Sequence, residues 1–185
     1  MPTARTFVAV NLPAAVKASV GELRRALPAA PNGLRWAAGD QLHVTLAFLG
    51  DLDDAGLADV RAAARAAAAS HAPFDAGLRG LGAFPQPRRA RVAWVGWGAG
   101  AEAVIALQAM LARLLNPPVE GRPFAPHVTL ARARVPLDLR AWLAAAPDWA
   151  SPAWRLDAVD VMTSELRRDG AVHTLVERCP LVGAG

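Results

Sequence analysis

"HVTLAFLG" (residues 43–50) and "HVTLARAR" (residues 127–134) begin with the same four letters. The chain has four histidines, so half of them sit in this one tetrapeptide. In a β-strand, residues two apart point to the same face. His43 and Thr45 therefore project together, with Val44 and Leu46 behind them. His127 and Thr129 repeat the arrangement, backed by Val128 and Leu130. Each word places one imidazole and one hydroxyl on a surface and turns two apolar side chains toward a core. A lone His-x-Thr on a strand is usually just a polar face. An identical second copy reads as an internal repeat, and twofold pseudo-symmetry of the two halves would bring the two surfaces together across a cleft.

Two imidazoles and two hydroxyls facing one another suit phosphoryl chemistry. The ordinary histidine pKa lies near 6.5, so one ring can be neutral while the other is protonated. The neutral ring takes a proton from an attacking water, and the protonated ring gives one to the leaving alkoxide. The threonines donate hydrogen bonds where transition-state charge gathers on non-bridging oxygens. Because the two words are identical, the residues alone leave the donor and acceptor roles interchangeable. Histidine with threonine is a poor metal-ligand set, so neither a metal nor another cofactor is expected.

The words sit in a chain of 185 residues, 54% hydrophobic and 19% charged, a globular composition. That length suits a single domain over residues 1–185, built as two small lobes. The net charge of +4 favours anionic partners, nucleic acid among them, although an Arg- and Ala-rich composition with Lys17 as its one lysine also has the look of a coding bias. Cys179 is the single cysteine, which excludes an internal disulfide and a cysteine zinc cluster. No apolar run approaches the roughly 18 residues of a membrane span, and a cytoplasmic address is expected.

Strand and helix signals alternate along the chain. "RTFVAVNLP" reads as a strand, with Pro13 opening a helix that carries Val16, Val20, Leu23 and Leu27 on one face. "GLRWAAGDQLHVTLAFLG" reads as two short strands around a turn at Gly39-Asp40. Asp53 or Asp54 caps an alanine-rich helix ending near Ser70. "FDAGLRGLGAFP" and "ARVAWVGWG" read as a strand pair joined by "QPRRA". A third helix carries Val104, Leu107, Leu111 and Leu114 and stops at Pro117-Pro118. "APHVTLARARV" is a strand, Pro136 opens a fourth helix that Pro147 closes, and a terminal hairpin turns at Asp169-Gly170. The expected class is α+β: two pseudo-symmetric lobes, each an antiparallel sheet with helices packed outside, and a groove between them.

In their order along the chain, "RTFVAVNLP", "WAAGDQLHVTLAFLGDL", "GLGAFPQPRRARVAWVGW", "FAPHVTLARAR" and "VMTSELRRDGAVHTLVERCPL" resemble the 2H phosphoesterase superfamily, which is named for two His-x-Thr-x motifs. The nearest resemblance is to its RNA 2′,3′-cyclic phosphodiesterase branch, historically called 2′-5′ RNA ligase. The resemblance implies metal-free hydrolysis of RNA 2′,3′-cyclic phosphate ends to 2′-phosphate ends in a groove between two lobes. It implies His43 as proton donor and His127 as proton acceptor, with an RNA end or a small cyclic nucleotide as partner and a monomeric enzyme. That family usually has an aromatic residue, often Tyr, where this chain has His173. End joining by the same histidines is the alternative within that chemistry. A non-catalytic RNA-end-binding module is the alternative outside it, and would not need two proton-transfer groups.

Two further substrate-binding candidates lie five residues after each histidine. Strict alternation turns Arg132 away from His127 and Phe48 away from His43. A bulge or a strand end would be needed to aim either into the groove. The family resemblance keeps Arg132 as a phosphate ligand, against a solvated surface arginine, and Phe48 could stack on a base, although a core phenylalanine is the commoner role for such a residue. Arg88, Arg89 and Arg91 make a basic cluster by the central hairpin that could track an RNA backbone or form a solvated turn.

Overall fold

The β-forming run near the N-terminus becomes the backbone of one lobe. In a computed structural model, residues 4–115, 123–167 and 170–183 are described. Strand β1 (Ala4–Asn11) is buried from Thr6 to Val10 because it has neighbours on both edges and cover on both faces. Helix α1 (Ala14–Ala26) follows Pro13 and buries Val16, Val20 and Leu23 as its periodicity requires. Strand β2 (Leu34–Trp36) is short, whereas β3 (His43–Leu52) runs ten residues. Helix α2 (Asp54–Ala69) is capped by Asp53, whose carboxylate accepts from Gly56 N at 2.9 Å.

Strands β4 (Phe74–Ala76), β5 (Leu78–Phe84) and β6 (Ala90–Trp97) precede helix α3 (Ala101–Leu114). Strand β7 (His127–Leu137), helix α4 (Arg140–Ala144) and strands β8 (Trp154–Leu156), β9 (Ala158–Arg167) and β10 (Gly170–Pro180) complete the order. The expected stop of α3 at Pro117-Pro118 and the Asp169 half of the hairpin turn lie outside the described residues.

Two boundaries and one strand partner stand apart from the sequence reading. Pro136 belongs to the end of β7, and α4 starts four residues later, where the Asp138 carboxylate accepts from Arg140 N. Leu114 is exposed on α3 while Leu115, just past the helix, takes its place in the core. Strands β2 and β3 do not pair with each other. β2 pairs with β7, through Leu34–Ala133 to Trp36–Ala131.

The strands of one lobe run β10-β9-β1-β3, and those of the other β7-β6-β5, with β2 alongside β7. All pairings within both sets are antiparallel. The two sets meet along β3 and β7 at one described residue pair, Val44–Val128. Both valines are fully buried. Beyond that seam the strands part, and the opening between them is the groove. The lobes are not the two halves of the sequence, since the C-terminal hairpin β9–β10 returns to pair with β1, and β2 crosses to the other lobe.

The repeat extends into the backbone. Between β1 and β3 the register jumps from Ala9–Thr45 to Val8–Ala47, leaving Leu46 unpaired there. Between β6 and β7 it jumps from Trp94–Thr129 to Ala93–Ala131, leaving Leu130 unpaired. These are matching β-bulges three residues after each histidine. Leu46 with Ala47, and Leu130 with Ala131, are consecutive buried residues, which alternation alone forbids. After each bulge the parity is reversed, so Phe48 and Arg132 share the face of His43 and His127.

Candidate active site

A cavity of about 370 Å³ lies over the seam, and both histidines, both threonines, Arg132 and Phe48 line it. The sequence places all six of these candidates, and the two bulges bring the last pair in. Each imidazole is anchored the same way. His43 Nδ1 donates to the Gln41 carbonyl at 2.7 Å, and His127 Nδ1 donates to the Ala125 carbonyl at 2.8 Å. A carbonyl only accepts, so both rings carry hydrogen on Nδ1, and each Nε2 remains for the cavity. Thr45 Oγ1 stands 3.2 Å from His43 Nε2. Arg132 Nη2 donates to Thr129 Oγ1 at 3.5 Å.

Aromatic rings hold the imidazoles from behind. Phe7 of β1 lies 5.1 Å from His43 between ring centres. Phe84 meets His127 edge-on at 4.9 Å, and Trp94 lies 6.3 Å from it. Trp94 needs a glycine opposite, since a Cβ on Gly82 would fall 2.2 Å from its ring.

Burial pushes the His43 pKa down to about 4, with the charges of His173, Lys17 and Arg132 adding to the effect, against the hydrogen bond to Gln41. The His127 pKa is also lowered, again first by burial and then by Arg132, against the hydrogen bond to Ala125. Both rings are therefore mostly neutral in the empty groove at pH 7.

His173, whose role the sequence left open, lines the groove, and Arg5 and Gln41 are groove residues that the sequence reading did not name. His173 packs T-shaped on His43 at 5.2 Å and on Phe7 at 5.0 Å. Arg5 and Gln41 also line the cavity, and the Gln41 amide donates to the Ala171 carbonyl. Alternation along β1 puts Arg5 on the face of Phe7. Nothing in the local sequence announces that β10 folds back over His43. Arg88 and Arg89 form an exposed turn, whereas Arg91 donates to the Arg134 carbonyl at 2.6 Å. Among the described residues, no three His, Cys, Asp or Glu side chains converge to hold a metal ion. Nor is any described helix long and apolar enough to cross a membrane.

Paired His-x-Thr words, one from each lobe, face one cavity. The chain belongs to the 2′-5′ RNA ligase superfamily, whose pattern matches residues 12–168. An RNA 2′,3′-cyclic phosphodiesterase of Thermus thermophilus is 34% identical over 190 residues, covering 97% of this chain and 91% of the relative. A crystal structure of a Thermus thermophilus protein superposes with a TM-score of 0.77 at 31% identity, covering 98% of this chain and 100% of the other. That of Escherichia coli LigT complexed with NADP+ gives 0.75 at 25% identity, covering 97% and 99%.

Proposed function

We propose that this chain hydrolyses RNA 2′,3′-cyclic phosphate ends to 2′-phosphate ends by metal-independent acid–base catalysis. The observation that carries this reading is the pair of imidazoles, each locked by Nδ1 to a backbone carbonyl and each offering Nε2 to one cavity. The name of the Thermus thermophilus relative supports the substrate class. His127 Nε2 accepts a proton from water as the water oxygen bonds to phosphorus. The bond from phosphorus to O3′ breaks, His43 gives O3′ its proton, and the phosphate stays on O2′. Thr45, Thr129 and Arg132 hold the non-bridging oxygens as charge builds there. In this reading the chain works as a single two-lobed unit, because each lobe alone supplies only one of the two proton-transfer groups.

The decisive experiment is incubation of an oligoribonucleotide ending in a 2′,3′-cyclic phosphate with the protein in excess EDTA. A 2′-phosphate product is expected. Activity lost in EDTA and restored by a divalent metal would sink the mechanism.

The pH profile follows from the lowered histidine pKa values. The donor must be protonated, yet in the free enzyme both rings lose their proton below the usual 6.5. The working one-proton form therefore thins out as pH rises, and kcat/KM peaks on the acid side of 6.5. A bound phosphate anion favours the protonated ring, so the alkaline limb of kcat lies at higher pH than that of kcat/KM. Coincident limbs in the two profiles would count against donor protonation by the substrate charge.

The hydroxyls contribute less than the rings. Thr45→Val and Thr129→Val keep the β-branched shape and remove one hydrogen bond each, worth about 1–3 kcal/mol, so each lowers kcat/KM by roughly 5- to 150-fold. Unchanged kinetics in both single variants would remove the threonines from the site.

A further inference from the structure

Three rings meet at one end of the groove. Phe7 of β1 lies 5.1 Å from His43 and 5.0 Å from His173, and the two imidazoles are 5.2 Å apart at 72°. Phe7 is buried, so it closes one side of both imidazoles to water. His173 is half-buried and lines the cavity beside His43. The strand register sets it there. His173 of β10 is opposite Ser164 of β9, and Ser164 is opposite Arg5 of β1. Residues paired across strands share a face, and all three line the same cavity. Hydrolysis by His43 and His127 uses none of the three.

The charges around His173 are mostly positive. Arg5 on β1, His43 on β3, and His127 and Arg132 on β7 line the cavity with it, and no Asp or Glu is among the described lining residues. The charge of Lys17, on α1, also reaches His43. Asp51 and Glu165 line an adjoining cavity that shares Arg5 and Ser164. Asp160, further back on β9, is engaged by Asn11 at 2.8 Å and by Arg178 at 3.7 Å. Positive charge on His173 is thus opposed by like charges in the empty groove, and an entering anion reverses the balance. Two imidazoles this close let the oxygens of one phosphate meet both.

We propose that His173 is a third histidine of the site, which takes a proton when a phosphate anion enters and holds that anion as an imidazolium beside His43. This rests on the phosphodiesterase reading, which puts a phosphate there. His173 donates an N–H to a non-bridging oxygen and takes no part in the proton transfers to O3′ or from water. Its own proton comes from solvent, stays on the ring through the reaction, and returns to solvent when the phosphate leaves. Phosphate binding therefore takes up a proton that a neutral side chain in its place would not. The contribution of His173 to affinity is present at acid pH and is lost as pH rises through the range where the ring discharges.

The test titrates inorganic phosphate into the whole protein, wild type and His173→Phe, by calorimetry at about pH 6 and about pH 9, on either side of the ordinary histidine range. Phenylalanine keeps a ring against Phe7 and His43 and cannot carry charge. Its phosphate affinity should be about tenfold weaker than wild type at the lower pH, the lower end for a hydrogen bond to a charged group, and within about twofold at the higher. A merely structural role would weaken both equally. In histidine NMR spectra, the ring signal missing from His173→Phe should titrate about one pH unit higher with phosphate than without. Should the phenylalanine variant fail to fold, His173→Gln should show the same two ratios. Equal ratios at the two pH values in a folded variant, a His173 signal whose titration ignores phosphate, or no phosphate binding by wild type would overturn the proposal while hydrolysis of the cyclic end stands. No 2′-phosphate product from wild type in the hydrolysis assay would overturn the phosphodiesterase reading and this one with it.

Discussion

Alanine in place of His43 or His127 lowers kcat by about 10²-fold or more, since a general acid and a general base each supply about 10²- to 10⁴-fold. Binding should survive better than turnover, because Thr45, Thr129, Arg132 and the aromatic walls remain in the cavity. The residual activity separates the two roles. Loss of the acid removes the alkaline limb of the pH profile, and loss of the base removes the acidic limb. His43→Ala should lose the alkaline limb. The opposite pattern would exchange the donor and acceptor while leaving the reaction in place. A near-wild-type rate in either folded variant would refute the two-histidine mechanism. The limbs of the wild-type profile belong to the pair, because two imidazoles beside one phosphate titrate together.

Arg132→Met lowers kcat/KM by about 10- to 150-fold, the scale of a hydrogen bond to a charged group at 1.5–3 kcal/mol. Methionine keeps much of the stem and removes the guanidinium. Arg132→Lys should recover only part of the loss, because a point charge cannot reproduce a planar fork. A second readout comes from electrostatics. Arg132 lowers the pKa of both histidines, so its removal raises both and shifts the kcat/KM profile toward higher pH. An unshifted profile with unchanged kcat/KM would place Arg132 outside the site.

Much of this site was legible because alternation is a strong local rule. It aimed His43 with Thr45 and His127 with Thr129, and the repeated word implied that the two faces meet. The rule failed five residues along, at Phe48 and Arg132, because a bulge costs one unpaired residue and reverses every later side chain. Its trace was present as Leu46-Ala47 and Leu130-Ala131, pairs of adjacent apolar residues where a polar one was due. The α+β class, the buried face of α1 and the start of α2 followed from periodicity and capping. Long-range pairing was hidden. No local feature of Leu34–Trp36 says that its partner is β7, and none near His173 says that it lies against His43. Leu114 and Leu115 show the ordinary limit at a helix end, where one residue of unwinding changes which side chain faces inward.

The return of β9 and β10 to β1 also has a bearing on how the protein is made. A ribosome delivers β1 and β3 early, and His43 with them, but β1 then lacks its outer neighbour. Two strands alone are marginal in water, and an open edge invites wrong partners. His127 arrives next, on a lobe whose strands β5, β6 and β7 are already close together in the chain. Only the last hairpin closes β1, brings Ala171 to Gln41 and sets His173 over His43. A nascent chain thus carries both imidazoles long before it has a groove to hold them. The groove is complete around His43 only once β9 and β10 have returned to β1.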